Sequence, residues 1–491
     1  MEHWIGLLGI VAILGLAVGL SRYRTAIDWH LVISGLALQG LIAVFVLKVP
    51  LGQAVFHQLG VGIEAVLSFA RQGAGFVFGP LVSPKMAEVF GAGNGFVFAL
   101  NLVPTIIFVA CLVSVAYHVG LLQQVVKAVA WLVYRLMGAS GAEALSNAAS
   151  AFVGQVEAQL LIKPFVGSLT QSELLSVMSG SMACIAGAVM AIYIQMGVPA
   201  EYLLAASLMA IPGALVISKI VLPETALPLT RGQVTLTVER ETVNLIDAAA
   251  QGCADGLRIG LNVCAMLIGF IALIGLIDAA IGWVGLQLHG LGWNATAIGV
   301  DLAHLSLKGI LGSVFAVVAL LLGVPAQEAS IVGGLMGTKL VINEFVAYAD
   351  LAPMLQAGSL SPRAVAVASF ALCGFANFSS VAMQIGGIGE IAPTRKRDLA
   401  RLGLWALLCG SLASYLSSAL AGLLVYTPGS SSPGLLETAW GPWALMAVAA
   451  LVILACQWHR QYRPPTVPML SKKPPLSGLQ TAASTVKSAS R

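Results

Sequence analysis

The segment SNAASAFVGQVEAQLLIKPF, residues 146–165, sets an amide, Gln155, and a carboxylate, Glu157, inside an otherwise apolar run. The rest of the chain makes that placement costly. Of its 491 residues, 58% are hydrophobic and only 9% charged, and the mean hydropathy is +0.92. Apolar runs of about 18 or more residues recur along it, which identifies an all-α polytopic membrane protein. A carboxylate at mid-membrane costs at least ~2.5–3.5 kcal/mol on insertion scales unless it meets partners or water. Glu157 therefore calls for a function.

Hydropathy predicts about nine spanning helices, at 4–20, 30–49, 96–120, 171–196, 202–222, 260–284, 362–389, 398–426 and 438–457. The first is not a signal peptide, because its start lacks Lys and Arg and the basic SRYR follows it directly. Segments 51–90, 121–138 and 303–323 read as too short or too amphipathic to span. In LLQQVVKAVAWLVYRLMG (121–138), Lys127 and Arg135 share one helical face, as in a helix lying in the interface. Seven cysteines, at 111, 184, 253, 264, 373, 409 and 456, are scattered singly and read as small buried residues.

Domain organisation follows in order. Residues 1–50 carry two transmembrane helices, 51–222 interfacial helices and a first repeat, and 223–258 a polar cytoplasmic connection. Residues 259–426 carry a second repeat, 427–458 an additional C-terminal transmembrane helix, and 459–491 a disordered basic tail. Placing the N-terminus outside puts Arg22 and Arg24, Lys127 and Arg135, Arg231 and Arg240, TRKRDLAR (394–401) and the C-terminal tail in the cytoplasm. That arrangement requires 143–167 and 327–357 not to cross. Each has a polar break near its centre, leaving arms of about ten residues, ~15 Å long against a hydrocarbon core of ~30 Å. Both therefore read as re-entrant hairpins.

A helix with a small, polar interruption follows each hairpin. In SLTQSELLSVMSGSMACIAGAVM (168–190), Thr170 and Glu173 form a capping box and ACIAG (183–187) interrupts. In SLSPRAVAVASFALCGFANFSSVAM (359–383), Ser361 caps, Pro362 takes the first position, and CGFANFSS (373–380) interrupts. The two copies start from opposite sides of the membrane. Inverted repeats with broken helices mark a secondary transporter with a midplane site.

The polar candidates are Gln155 and Glu157 in the first hairpin, Asn343 and Glu344 in the second, and Cys184, Ile185, Asn377, Ser379 and Ser380 in the broken helices. Structural alternatives are pairing of Glu157 with Lys163, pairing of Glu344 with Lys339, and an inter-helix hydrogen bond at Asn377 or Ser380. Two carboxylates, an amide and hydroxyls without an arginine cluster disfavour a phosphate or free carboxylate. They suit a polar, neutral or cationic small molecule.

FVGQVEAQLLIKPF (152–165), GSMACIAGAVMAIY (180–193), MGTKLVINEFVAY (336–348) and FALCGFANFSSVAMQIGGIGEIAPTRKRDLARLG (370–403) closely resemble the concentrative nucleoside transporters, over about residues 51–426. The resemblance implies a homotrimer with eight core spanning helices per subunit and a mobile, elevator-type transport domain held by a scaffold. It implies that Gln155, Val156 and Glu157 face the nucleobase, with Val189 packing against it. Glu344, Asn377 and Ser380 would hold the ribose, with Phe375 and Leu267 beside them. No cofactor is implied beyond a coupling cation. Sodium-using members employ an Asn side chain and a Ser hydroxyl at the positions of Ser150 and Cys184, with backbone carbonyls at those of Val153 and Ile185. A thiol is a poor ligand for a hard cation, so H⁺ is favoured over Na⁺, with Glu157 or Glu344 as proton carrier. Val156 replaces a hydroxyl residue, and Gln159 and Lys163 replace the commoner Pro and Arg. The chain lacks the extra N-terminal helices of animal members, which predicts a bacterial inner-membrane importer. A nucleobase or other polar-solute symporter is the alternative suggested by Val156. An intramembrane enzyme using Glu157 and Glu344 is remote, since no metal triad or phosphate loop accompanies them.

Overall fold

In hydrocarbon every backbone amide needs a partner from its own segment or from neighbouring protein. The computed structural model describes residues 2–83, 86, 97–231, 242–290, 306–425 and 441–462. They build an all-α membrane protein, with no strand among the described residues. The helices before the first hairpin are α1 (Glu2–Gly19), α2 (Trp29–Lys48), α3 (Pro50–Phe78), α4 (Phe98–Val119) and α5 (Leu121–Met137). The first hairpin comprises α6 (Gly141–Ser150), α7 (Glu157–Leu160) and α8 (Lys163–Val166). A broken helix, α9 (Gln171–Ala183) and α10 (Gly187–Gln195), leads to α11 (Ala200–Val221) and α12 (Leu245–Gly290). The second copy runs through α13 (Leu307–Leu321), the hairpin α14 (Ala329–Val341) and α15 (Glu344–Gln356), the broken α16 (Pro362–Leu372) and α17 (Phe378–Ile391), and α18 (Lys396–Leu424). An additional helix, α19 (Gly441–Tyr462), packs along α2.

Both interruptions fall where the sequence places them, and both caps form. Thr170 and Glu173 make a reciprocal box at the start of α9. Ser361 caps Ala364 at the start of α16, with Pro362 at its first turn. Three elements differ from expectation. The second arm of the first hairpin is two single turns, α7 and α8, because Pro164 at the head of α8 has no amide to continue α7. Segment 51–90 contains α3, a continuous helix of 29 residues; residues 50–82 join 29–48, 99–119, 171–195, 200–221 and 393–424 as segments long and apolar enough to cross a membrane. The polar connection 223–258 is helical from Leu245, since α12 starts there and continues for 46 residues. The basic tail from 463 onward and residues 427–440 of the C-terminal segment lie outside the described residues.

A group of basic residues lies at one end of the molecule. Arg22 N donates to the Val221 carbonyl at the end of α11 (3.0 Å), and Gly141 N at the start of α6 donates to the Thr230 carbonyl (3.0 Å). Arg395, just before α18, donates to the carbonyls of Gly167 and Leu169. Gln457 of α19 donates to the Arg135 carbonyl at the end of α5. From this end α18 extends for 29 residues, ~43 Å. Its last turn lies with Gly422 against the Leu322 carbonyl, beside the base of the second hairpin, where Glu328 accepts from Ser361. The two hairpins thus enter from opposite ends, which makes the repeat inverted.

Close backbone approach replaces the hydrophobic effect as the force between helices in lipid. Along α12, Gly252, Gly256 and Gly260 recur one helical turn apart against α4. A β-carbon at Gly252 would lie 2.7 Å from Cys111 Cα, and one at Gly256 would lie 2.6 Å from Ile107 Cα. Only glycine lets the two helices meet here.

At the basic end, buried Lys219 pairs with Glu143 (2.5 Å) and Glu224 (3.2 Å) and donates to Ser172 Oγ (2.9 Å). This one ammonium ties α6, α9 and α11 together. Lys219→Met strands the buried Glu143 carboxylate, at a cost of about 3–5 kcal/mol. The expected outcome is a clearly lower thermal unfolding midpoint of the purified protein; an unchanged midpoint would show that the charges are not paired.

Candidate functional site

The site is built on the two hairpin tips and the two helix breaks. At the second break, Asn377 caps α17: its Oδ1 accepts from Ser380 N (2.9 Å) and Ser379 Oγ (2.7 Å). That leaves its amide nitrogen free to donate, and it does so to Glu344 Oε2 at 2.9 Å. Glu344 is the first residue of α15, capped by Asn343, so its carboxylate also sits at the favourable end of a helix dipole. Tyr193 Oη of α10 reaches Glu344 Oε1 at 3.5 Å, and the Tyr193 ring stacks on Tyr348 of α15. Glu344 is thus buried between neutral donors supplied by two other elements, α17 and α10.

Lys339 does not hydrogen-bond it. The Lys339 ammonium donates to the carbonyls of Ala371 (2.8 Å) and Cys373 (3.5 Å), which the second break deprives of helical partners.

The first hairpin approaches the same helix from its other end. Gln155 Nε2 makes a long contact to Met383 Sδ (3.6 Å), and the Val156 side chain seats against Gly387. Asn377, Ser380, Met383 and Gly387 follow one another at helical spacing along one face of α17. From Asn377, which holds Glu344, to Met383, which meets Gln155, is six residues, or ~9 Å of helix. That matches a sugar joined to a heteroaromatic base. Two buried polar atoms in this array have no hydrogen-bond partner, Gln155 Oε1 and Ser380 Oγ. A buried polar group without a partner costs ~1–3 kcal/mol, so both atoms have bonding capacity to spare.

The remaining expected residues divide. Val189 and Phe375 are half-buried near the two breaks. Glu157 is exposed at the tip, and its carboxylate curls back over Gly154 and accepts from Val156 N (3.3 Å); the structure places no bond between it and Glu344. The side chain of Leu267 lies outside the described residues. Ser150 is buried, with its hydroxyl donating to the Ser146 carbonyl (2.8 Å) and lying 3.2 Å from Ser181 Oγ. Val153 N is bonded to the Ala149 carbonyl, and Ile185 is fully buried. The Cys184 thiol faces the Ser207 carbonyl of α11 at 3.9 Å. The sequence gives no role to three residues, Tyr193, Gln384 and Gln159, the last marked there only as a departure from the resembled family. Tyr193 looks like an ordinary core aromatic in the sequence. Gln384 is buried and donates to the Met178 carbonyl, and Gln159 joins the first hairpin to α9. The only signal for the glutamines was an amide within an apolar run.

Three family models match consecutive stretches: Na+ dependent nucleoside transporter N-terminus over residues 8–81, nucleoside recognition over 99–200, and Na+ dependent nucleoside transporter C-terminus over 202–422. The chain is 41% identical over 421 residues to the uncharacterized transporter YutK of Bacillus subtilis, covering 86% of this chain and 99% of that one. It is 37% identical over 420 residues to the nucleoside permease NupC of Helicobacter pylori, covering 85% and 96%. The structure of CNTnw in an inward-facing substrate-bound state matches with a TM-score of 0.80 at 41% identity, covering 88% of this chain and all of that one. Variants of CNTnw are solved in outward-facing and intermediate states. Helix α19 lies beyond all three family models.

The two breaks touch at Gly374, whose φ of +121° suits glycine alone. A β-carbon there would stand 2.6 Å from the Ala183 carbonyl oxygen of the first break. Gly374→Ala is expected to destabilise by at least ~1–3 kcal/mol, read as a lower unfolding midpoint. A midpoint equal to wild type would mean that the breaks do not meet.

Proposed function

The chain belongs to the concentrative nucleoside transporter family, and from that premise we propose that it imports nucleosides by cation-coupled, elevator-type alternating access. The observation that carries the reading is the polar array along α17, with a carboxylate held at one end, an amide at the other, and an unpartnered buried atom in each half. Glu344, Asn377 and Ser380 take the ribose, because a carboxylate accepts from two vicinal hydroxyls and Ser380 Oγ has no competing partner. Gln155, with Val156, Glu157 and Val189, takes the base, whose edge both donates and accepts; Phe375 closes the ribose end. The relatives are transporters and permeases, which removes the enzyme alternative.

For the coupling cation we favour H⁺. Sodium needs hard oxygen ligands. Ser150 donates its hydroxyl proton to the Ser146 carbonyl and keeps one short-armed oxygen, while Cys184 presents a soft thiol turned toward α11. One serine oxygen beside a thiol counts against a sodium cage, although the family model is described as Na+ dependent. A proton needs only a carboxylate that alternates between solvent and substrate. Glu344, with its neutral partners, and Glu157, at the exposed tip, are the two that qualify.

Assembly as a homotrimer in a bacterial inner membrane completes the proposal. The gathering of Arg22, Arg135, Lys219 and Arg395 at one end supports a cytoplasmic location for that end and for the end of α19. The N-terminus then lies outside.

Two measurements test these assignments. Glu344→Gln is expected to abolish uptake while leaving folding and assembly intact, since an amide cannot make charge-assisted bonds to both hydroxyls. Wild-type uptake by a well-folded variant would end the ribose assignment. In proteoliposomes, uptake of uridine or adenosine should follow an inward proton gradient, fall as external pH rises, and collapse with a protonophore in sodium-free buffer. Uracil taken up in preference to uridine would favour the nucleobase reading. Uptake that requires sodium and ignores a protonophore at clamped potential would overturn proton coupling. Under the proposal, Ser150→Asn with Cys184→Ser introduces sodium stimulation.

A further inference from the structure

Gln159 is completely buried in α7 and bonds to three other parts of the site. Its Oε1 accepts from Ser146 Oγ of α6 (2.8 Å). Its Nε2 donates to Ser181 Oγ of α9 (2.5 Å) and to the main-chain carbonyl of Gln155 (3.4 Å). Ser181 Oγ passes its own proton to the Val177 carbonyl (2.9 Å), and Ser150 lies 3.2 Å away. Every member is neutral, and an amide is the neutral side chain that offers an acceptor on one side and two donors on the other.

The tip between these arms is also bonded to the first break through Gly187 N and the Phe152 carbonyl, but toward α17 it is lightly held. The Gln155 side chain contributes only a long bond to sulfur and an unpartnered Oε1, and the Val156 side chain rests on Gly387 by contact alone. Fixing the Gln155 carbonyl therefore fixes where its side-chain amide can point. We propose that Gln159 is a positioning residue for the substrate site: it cross-braces both arms of the first hairpin to the first broken helix and so aims Gln155 at the ligand. The brace uses no ion. It rests on the reading of Gln155 as a base contact, and the experiment separates the two.

Uridine uptake by proteoliposomes under a fixed proton gradient is measured for Gln159→Leu, Gln155→Ala and the double variant. Gln159→Leu keeps the volume and removes all three bonds. It is expected to raise KM roughly tenfold with Vmax within about twofold, the pattern of lost binding rather than lost folding. Discrimination against the 2′,3′-dideoxynucleoside, which reports the opposite end of the site, stays unchanged. Because Gln159 acts through Gln155, adding Gln159→Leu to Gln155→Ala raises KM no further. Should Gln159→Leu fail to fold, Gln159→Asn, too short to reach both serines, serves in its place with the same expectations. A normal KM in the Gln159 variant beside a raised KM in Gln155→Ala overturns the brace alone. So does a double variant whose KM is the product of the two single effects. A normal KM in Gln155→Ala removes the base contact, and the proposal with it.

Discussion

Unwound backbone inside a membrane has no water to bond, and the molecule is organised around meeting that demand twice. At the second break, Lys339 and Ser414 both donate to the Cys373 carbonyl, and Lys339 also serves Ala371. At the first, Gly187 N finds the Phe152 carbonyl at the hairpin tip (3.1 Å). Each break is thus satisfied by a hairpin: α14 supplies Lys339, and the α6–α7 turn supplies Phe152. The hairpins exist at this depth because the breaks do, and the breaks hold because the hairpins reach them. Gly374 against Ala183 closes the arrangement by joining the two halves at one point.

This division of labour frees the remaining polar groups. With Lys339 bonded to carbonyls, the hydrogen bonds to Glu344 come from neutral side chains, Asn377 and Tyr193. Asn377 does two things at once, capping α17 with its oxygen and orienting Glu344 with its nitrogen. Under the proposal, such a site meets a neutral solute with hydrogen bonds and no ion pair, which suits release on the far side.

The pattern of turn, cap and apolar length made most of this architecture legible. Thr170 with Glu173 and Ser361 with Pro362 announced the broken helices, and the polar islands at 155–157 and 343–344 announced the hairpin tips. Local signals of that kind act within a few residues and survive in one dimension. The partnerships did not. That Lys339 serves carbonyls rather than Glu344 depends on α16 ending beside it, and that Tyr193 reaches Glu344 depends on packing between residues 151 positions apart. Gln159 is the sharpest case. In the sequence it is a substitution of unstated consequence, and only the meeting of three elements gives it work. The continuity of α12 was likewise hidden, because the polar residues of its first turns resemble a loop until they are seen to follow one helix.

That helix has a mechanical consequence. At 46 residues α12 is ~69 Å long, more than twice the ~30 Å of hydrocarbon. Its early polar residues, Asp247, Gln251, Asp255 and Arg258, carry the first turns into water without any joint at the boundary. Fastened to α4 through its glycines, it has no seam at which to shorten. A thinner or thicker bilayer is therefore met by leaning the whole pair, so lipid composition becomes an angle imposed on α4 and α12 together.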